Sequence, residues 1–98
     1  MKRFYFHVVK GREVIEDTVG RRLRDLGAVV SEAEKVAVHL IIVEGALPRE
    51  WINWKLDVKD EDGTRVFFYP FDEVSVHDVS EARAARQANR NGNDSNSR

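Results

Sequence analysis

The sequence predicts a small α+β domain: an antiparallel sheet built in the order strand, short strand, helix, strand, strand, with one amphipathic helix on one face. Three observations lead there. Arg3 to Val9 reads as an aromatic and β-branched strand and 51–59 as an alternating one, a 3-4-spaced apolar stripe fills the stretch between, and Asp60-Glu61-Asp62-Gly63 reads as a hairpin loop joining the last two strands.

The first strand puts Phe4, Phe6 and Val8 on one face and Tyr5, His7 and Val9 on the other. Lys10-Gly11-Arg12 supplies a turn, and 13–17 reads as a short returning strand. Gly20 then interrupts the chain before Arg21, Arg22 and Arg24. The helix is predicted from Leu26 to Glu44, because Leu26, Val29, Val30, Ala33, Val36, Ala37, Leu40 and Ile41 form one stripe. Asp25 is its candidate N-cap and Gly45 its stop; Ser31 with Glu34 offers a second, later start. Pro48 argues against helix beyond Leu47. Residues 51–59 then alternate, with Ile52, Trp54, Leu56 and Val58 facing inward. After the acidic loop, 64–69 returns as the partner strand until Pro70 removes a ladder donor, and Phe71, Val74 and Val76 suit a last packed turn or short strand.

The 98 residues support one domain, assigned to 1–79. Beyond it, 80–98 carries no apolar residue larger than alanine and reads as a mostly disordered tail, with a short helix available at 80–87. Sixteen basic against seventeen acidic side chains leave a formal charge of −1, so no whole-molecule field points to nucleic acid or an acidic membrane. The arginines Arg83, Arg86, Arg90 and Arg98 make the tail mildly basic on a mildly acidic body. Absence of cysteine removes disulfides and thiolate chemistry. The N-terminal stretch has no apolar h-region and no apolar run reaches membrane-spanning length, which leads to the expectation of a soluble cytoplasmic protein.

Arg3-Phe4-Tyr5-Phe6-His7-Val8, followed by Ile15, Asp17, Gly20, Leu23 and Asp25, and then by Asp60-Glu61-Asp62-Gly63, Pro70-Phe71 and Val74, resembles a family of small bacterial proteins, frequent in soil and plant-associated alphaproteobacteria and filed as a domain of unknown function. The likeness spans about residues 3–76. It departs at Gly27-Ala28-Val29-Val30-Ser31, which is less alanine-rich than the usual family helix. It implies a small α+β domain and carries no activity, ligand or catalytic residue with it.

Residue chemistry argues against an enzyme. An EF-hand aligned on Gly63 would need oxygen ligands where Val58 and Tyr69 stand, so the acidic run reads as a turn. His7, His39 and His77 share no metal-ligand spacing, the scattered glycines make no phosphate loop, and no nucleophile motif occurs. No cofactor or metal is therefore expected. The sheet face away from the helix is more informative. A loop of Glu61-Asp62-Gly63 puts Val66 and Phe68 under the helix, leaving Phe67 and Tyr69 with Tyr5, His7, Lys55 and Lys59; a two-residue loop exchanges Phe67 for Phe68. Clustered aromatics of this kind suit a homodimer interface drawn from Tyr5, His7, Phe67 and Tyr69, with Trp51 as an anchor or as a cap on the core. The alternative is a nucleic-acid surface using the same aromatics with Arg21, Arg22, Arg24, Lys55, Lys59 and the arginine tail. The sequence thus favours a self-associating interaction module, with nucleic-acid binding as the second reading.

Overall fold

A computed structural model describes residues 1–96, with side chains through Gln87. Five strands form one antiparallel sheet: β1 (Lys2–Lys10), β2 (Glu13–Ile15), β3 (Arg21–Leu23), β4 (Trp54–Lys59) and β5 (Arg65–Pro70). Its order is β2-β1-β4-β5, and β3 pairs with β1 on the same outer edge as β2 but at the other end. The helices α1 (Leu26–Glu44), α2 (Pro48–Trp51) and α3 (Val76–Asn96) complete the chain, with a 3-10 turn at Phe71–Glu73.

Helix α1 runs over the predicted residues. The Asp25 carboxylate accepts from the Ala28 N–H at 2.8 Å, and Gly45 closes the helix at φ 62°, where its N–H reaches the last carbonyls. Its buried ridge is narrower than the sequence stripe: Val29, Ala33, Ala37 and Ile41, one turn apart, face the sheet, whereas Leu40 is half-buried and Leu26 exposed. Alanines at the centre of that ridge let α1 lie close to Phe4, Phe6, Val8, Leu56 and Val58.

Four features differ from the sequence reading. Arg21–Leu23 is a strand, because it completes the ladder along the free edge of β1. Pro48 starts a helical turn instead of preventing one, since its ring suits the first helical position and Glu50 returns to cap the Leu47 N–H at 2.8 Å. β4 accordingly begins at Trp54, Trp51 is 3% exposed in the core, and Ile52 faces outward. Finally, Phe71 and Val74 do pack at the 3-10 turn, Phe71 edge-on to Trp54, but Val76 does not join them: it stands exposed at the start of α3. Helix α3 lies against α1, burying Val79 and half-burying Ala82. It takes in 80–87, where a short helix was available; the tail expected over 88–98 lies outside the residues whose side chains are described.

The β4–β5 register carries the most weight for function. Asp60 N–H bonds Thr64 O at 2.9 Å around Glu61-Asp62-Gly63, so the loop is the three-residue one, with Gly63 at φ 82°. A bulge between Val58 and Lys59 then slips the register by one residue. Leu56 pairs with Tyr69 and Val58 with Phe67, which turns Phe67 and Tyr69 toward the helices and Phe68 away.

Candidate functional site

Odd-numbered residues of β1 and β4 point away from the helices, and the ladders bring them into rows. Val9 lies between Val14 and Lys55, His7 beside Asp57, and Tyr5 beside Lys59. Phe68 continues the His7 row and Arg65 the Tyr5 row, while Arg3 and Arg22 pair at the β3 end. The result is a nearly continuous sheet face that no helix covers.

Aromatic rings occupy its middle. Tyr5 and His7 stack with centroids 6.5 Å apart and planes 10° from parallel. Two columns away, the Arg65 guanidinium lies 4.7 Å above the Phe68 ring while its Nε donates to Asp57 Oδ1 at 2.7 Å. Cations surround these rings: Arg3, Arg22, Lys55, Lys59 and Arg65. The carboxylate of Asp57 is engaged by Arg65, whose hydrogen bond holds it below the usual carboxylate range against the opposing effect of partial burial; Lys59 and His7 add to the lowering. The acidic loop at 60–62 bounds the face at one corner, folded on itself through Asp60 Oδ1, which accepts from Asp62 and Thr64 N–H.

At the β1 edge, the loop 16–20 fills the space between β2 and β3. Partial desolvation pushes the Asp17 carboxyl up, but hydrogen bonds from Gly20, Phe6 and Val19 N–H outweigh it and hold the group low. Gly20 is at φ 74°, and a Cβ there would stand 2.9 Å from the Tyr5 ring and 2.8 Å from Arg3 Cγ. The loop therefore rests directly on two residues of the open face.

Of the residues singled out from sequence, Tyr5, His7, Lys55, Lys59 and Arg22 come together here. Phe67 and Tyr69 do not: they stack on each other at 6.0 Å on the helix side and pack against the core. There the Tyr69 hydroxyl is pushed up by burial and then by Glu34, Glu73 and Asp78. The expected grouping of Tyr5, His7, Phe67 and Tyr69 fails because of the bulge, and Trp51 is a core residue. Arg21 pairs with Phe4, so it turns to the helix side, over the Phe6 ring and onto Glu32 of α1. Arg24 stands exposed beside Asp25. Arg3 and Arg65 were not selected from sequence, although Arg3 shares the parity of Tyr5 and His7 and was legible on that ground. Phe68 was left open by the choice between two loops.

Among the described residues no group of His, Asp or Glu is assembled to hold a metal ion, and no helix is long and apolar enough to cross a membrane. Residues 3–72 match the model of a family described as a domain of unknown function, DUF6894. No curated protein and no solved structure matches the chain.

Proposed function

The chain belongs to the DUF6894 family, whose matched segment contains every residue of the open face, and we propose that this face makes the protein a non-catalytic binding module for single-stranded nucleic acid. The observation that carries the reading is the β4–β5 register, which sets Phe68 on the same face as the Tyr5–His7 stack, among Arg3, Arg22, Lys55, Lys59 and Arg65. Unpaired bases stack on exposed rings regardless of sequence, and a flat cationic sheet follows the phosphates between them.

Charge also separates this reading from the self-associating one. A two-fold dimer would set the face against its own copy, bringing Lys55, Lys59 and Arg3 toward like charges, and Phe67 and Tyr69 are no longer available to bury there. An anionic partner meets no such cost. The net charge of −1 does not oppose this, because binding responds to the local face and not to the sum.

The test is fluorescence anisotropy with a labelled mixed-sequence single-stranded oligonucleotide across salt concentrations. With four phosphate contacts, log affinity should fall against log salt with a slope of about −3, at roughly 0.7 per contact for single strands. Phe68→Ala should weaken binding by roughly tenfold, the size of one lost base stack. Absence of binding at low salt, or equal binding of the corresponding duplex, would refute the proposal. A solution mass near twice 11.3 kDa, lost on charge reversal at Lys59, would return the face to the dimer reading.

A further inference from the structure

β2 covers residues 8–10 of β1 and β3 covers residues 2–4, so the middle of this edge has no strand partner. Asp17 supplies what a strand would. Its carboxylate accepts the Phe6 N–H at 3.0 Å, and its own N–H donates to Nδ1 of His7 at 3.1 Å. A backbone N–H can only donate, so Nδ1 carries a bare lone pair and the neutral ring holds its proton on Nε2. The loop anchored in this way ties down the face at two points. Val19 O accepts from Arg3 Nη1 at 2.9 Å, and Gly20 sits against the Tyr5 ring.

We infer that His7 is a proton-operated latch: protonation at Nδ1 breaks one of the loop's anchors to the sheet edge and loosens the loop 16–20 over Arg3 and Tyr5, so that both can engage an anionic strand. The inference rests on the single-strand reading for its consequence but not for the latch itself. A second proton on the ring would set two donors against each other across the 3.1 Å contact, so the bond from Asp17 N–H must break. Groups on its own strand, the loop, β4 and β5 face His7. Tyr5 stacks on it from its own strand, the Asp17 carboxylate approaches from the loop, and Asp57 lies opposite on β4, with Arg65 and Lys59 beyond. The charged ring turns from the amide toward the Asp57 carboxylate on β4, leaving the Asp17 N–H without an acceptor. Acid then adds one cation to the face and uncovers another.

The latch is testable in the free protein by NMR between about pH 8 and pH 5, the range over which histidine changes charge. The Asp17, Val19 and Gly20 amides should titrate with the His7 ring protons. Hydrogen-exchange protection at Asp17, corrected for intrinsic rate, should fall about five- to tenfold, the equivalent of one hydrogen bond. His7→Gln, whose amide oxygen accepts but takes no proton, should keep that protection constant; if that variant misfolds, coincidence of the wild-type titration curves decides. Amides of 17–20 that stay fixed while His7 titrates would overturn the latch. Oligonucleotide affinity should rise about fivefold over the same range in wild type and stay level in His7→Gln, in line with one or two added phosphate contacts. Binding that is present but independent of pH overturns the latch and leaves the face intact. Absent binding with coupled amides supports the latch and defeats the nucleic-acid reading.

Discussion

Substituting Gly20 by alanine tests whether the loop 16–20 is seated as closely as the geometry requires. Two costs add at this position. At φ 74° an L residue is strained by about 1–2 kcal/mol relative to glycine. The new methyl also meets Arg3 Cγ at 2.8 Å, Tyr5 Cε2 at 2.9 Å and the Phe4 carbonyl oxygen at 3.0 Å. The Arg3 stem can swing away, but the Phe4 carbonyl belongs to a strand paired on both sides, so the loop must lift, at a further ~1–3 kcal/mol. Gly11 is the internal control. Its φ is 61°, and nothing lies within 4 Å of where its Cβ would be, so Gly11→Ala carries the strain alone. The expected losses are about 1–2 kcal/mol at Gly11 and about 2–5 kcal/mol at Gly20, read by urea unfolding with circular dichroism. At roughly 4–8 °C per kcal/mol for a domain of this size, Gly20→Ala should melt about 8 °C or more below wild type. Equal losses at the two glycines would refute the close approach, and with it the claim that the loop covers Tyr5.

Trp51→Ala should cost about 3–5 kcal/mol, because the ring is 3% exposed in the core; a loss below 1 kcal/mol would return Trp51 to the surface. Ile41→Ala should cost about 2–5 kcal/mol and half-buried Leu40→Ala clearly less, in paired urea titrations; the reverse order would mean that α1 is rotated about its axis. Asp17 and Asp57 have carboxyls held lower in the folded protein than in the unfolded chain, so their contribution is complete above about pH 4 and disappears as pH falls through the folded values. Asp17→Asn and Asp57→Asn should each flatten the acid limb of a stability–pH curve measured from pH 6 to pH 2, and an unchanged limb would contradict these hydrogen bonds.

Much of the site was within reach of periodicity. The step of two along β1 and β4 puts Tyr5, His7, Lys55 and Lys59 on one face before any coordinates exist, since it depends only on where successive side chains point. Arg22 joins them through β3, a strand too short to show a period of its own. Asp17 has no local signature at all: an acidic residue in a polar loop acquires its role only when β2 and β3 leave the Phe6 N–H unmatched between them.

The α+β class, the extent of α1 from Leu26 to Glu44, and the inward set of Phe4, Phe6, Val8, Leu56 and Val58 are legible in local pattern, because each is written in neighbours one turn or one pleat apart. Which aromatics share the open face depends on packing across the sheet. Glu61-Asp62-Gly63 specifies its three-residue loop locally, yet the bulge opposite Val58 and Lys59 takes up Val66 as an extra residue and reverses Phe67 through Tyr69. Burial settles that reversal: with the slip, Phe67 and Tyr69 pack beneath the helices and only Phe68 is left outside, whereas the unslipped register would cover Val66 and Phe68 and leave two large rings in water. A preference of that kind lies in the summed contacts of β5 with the core, and no window of the sequence contains them.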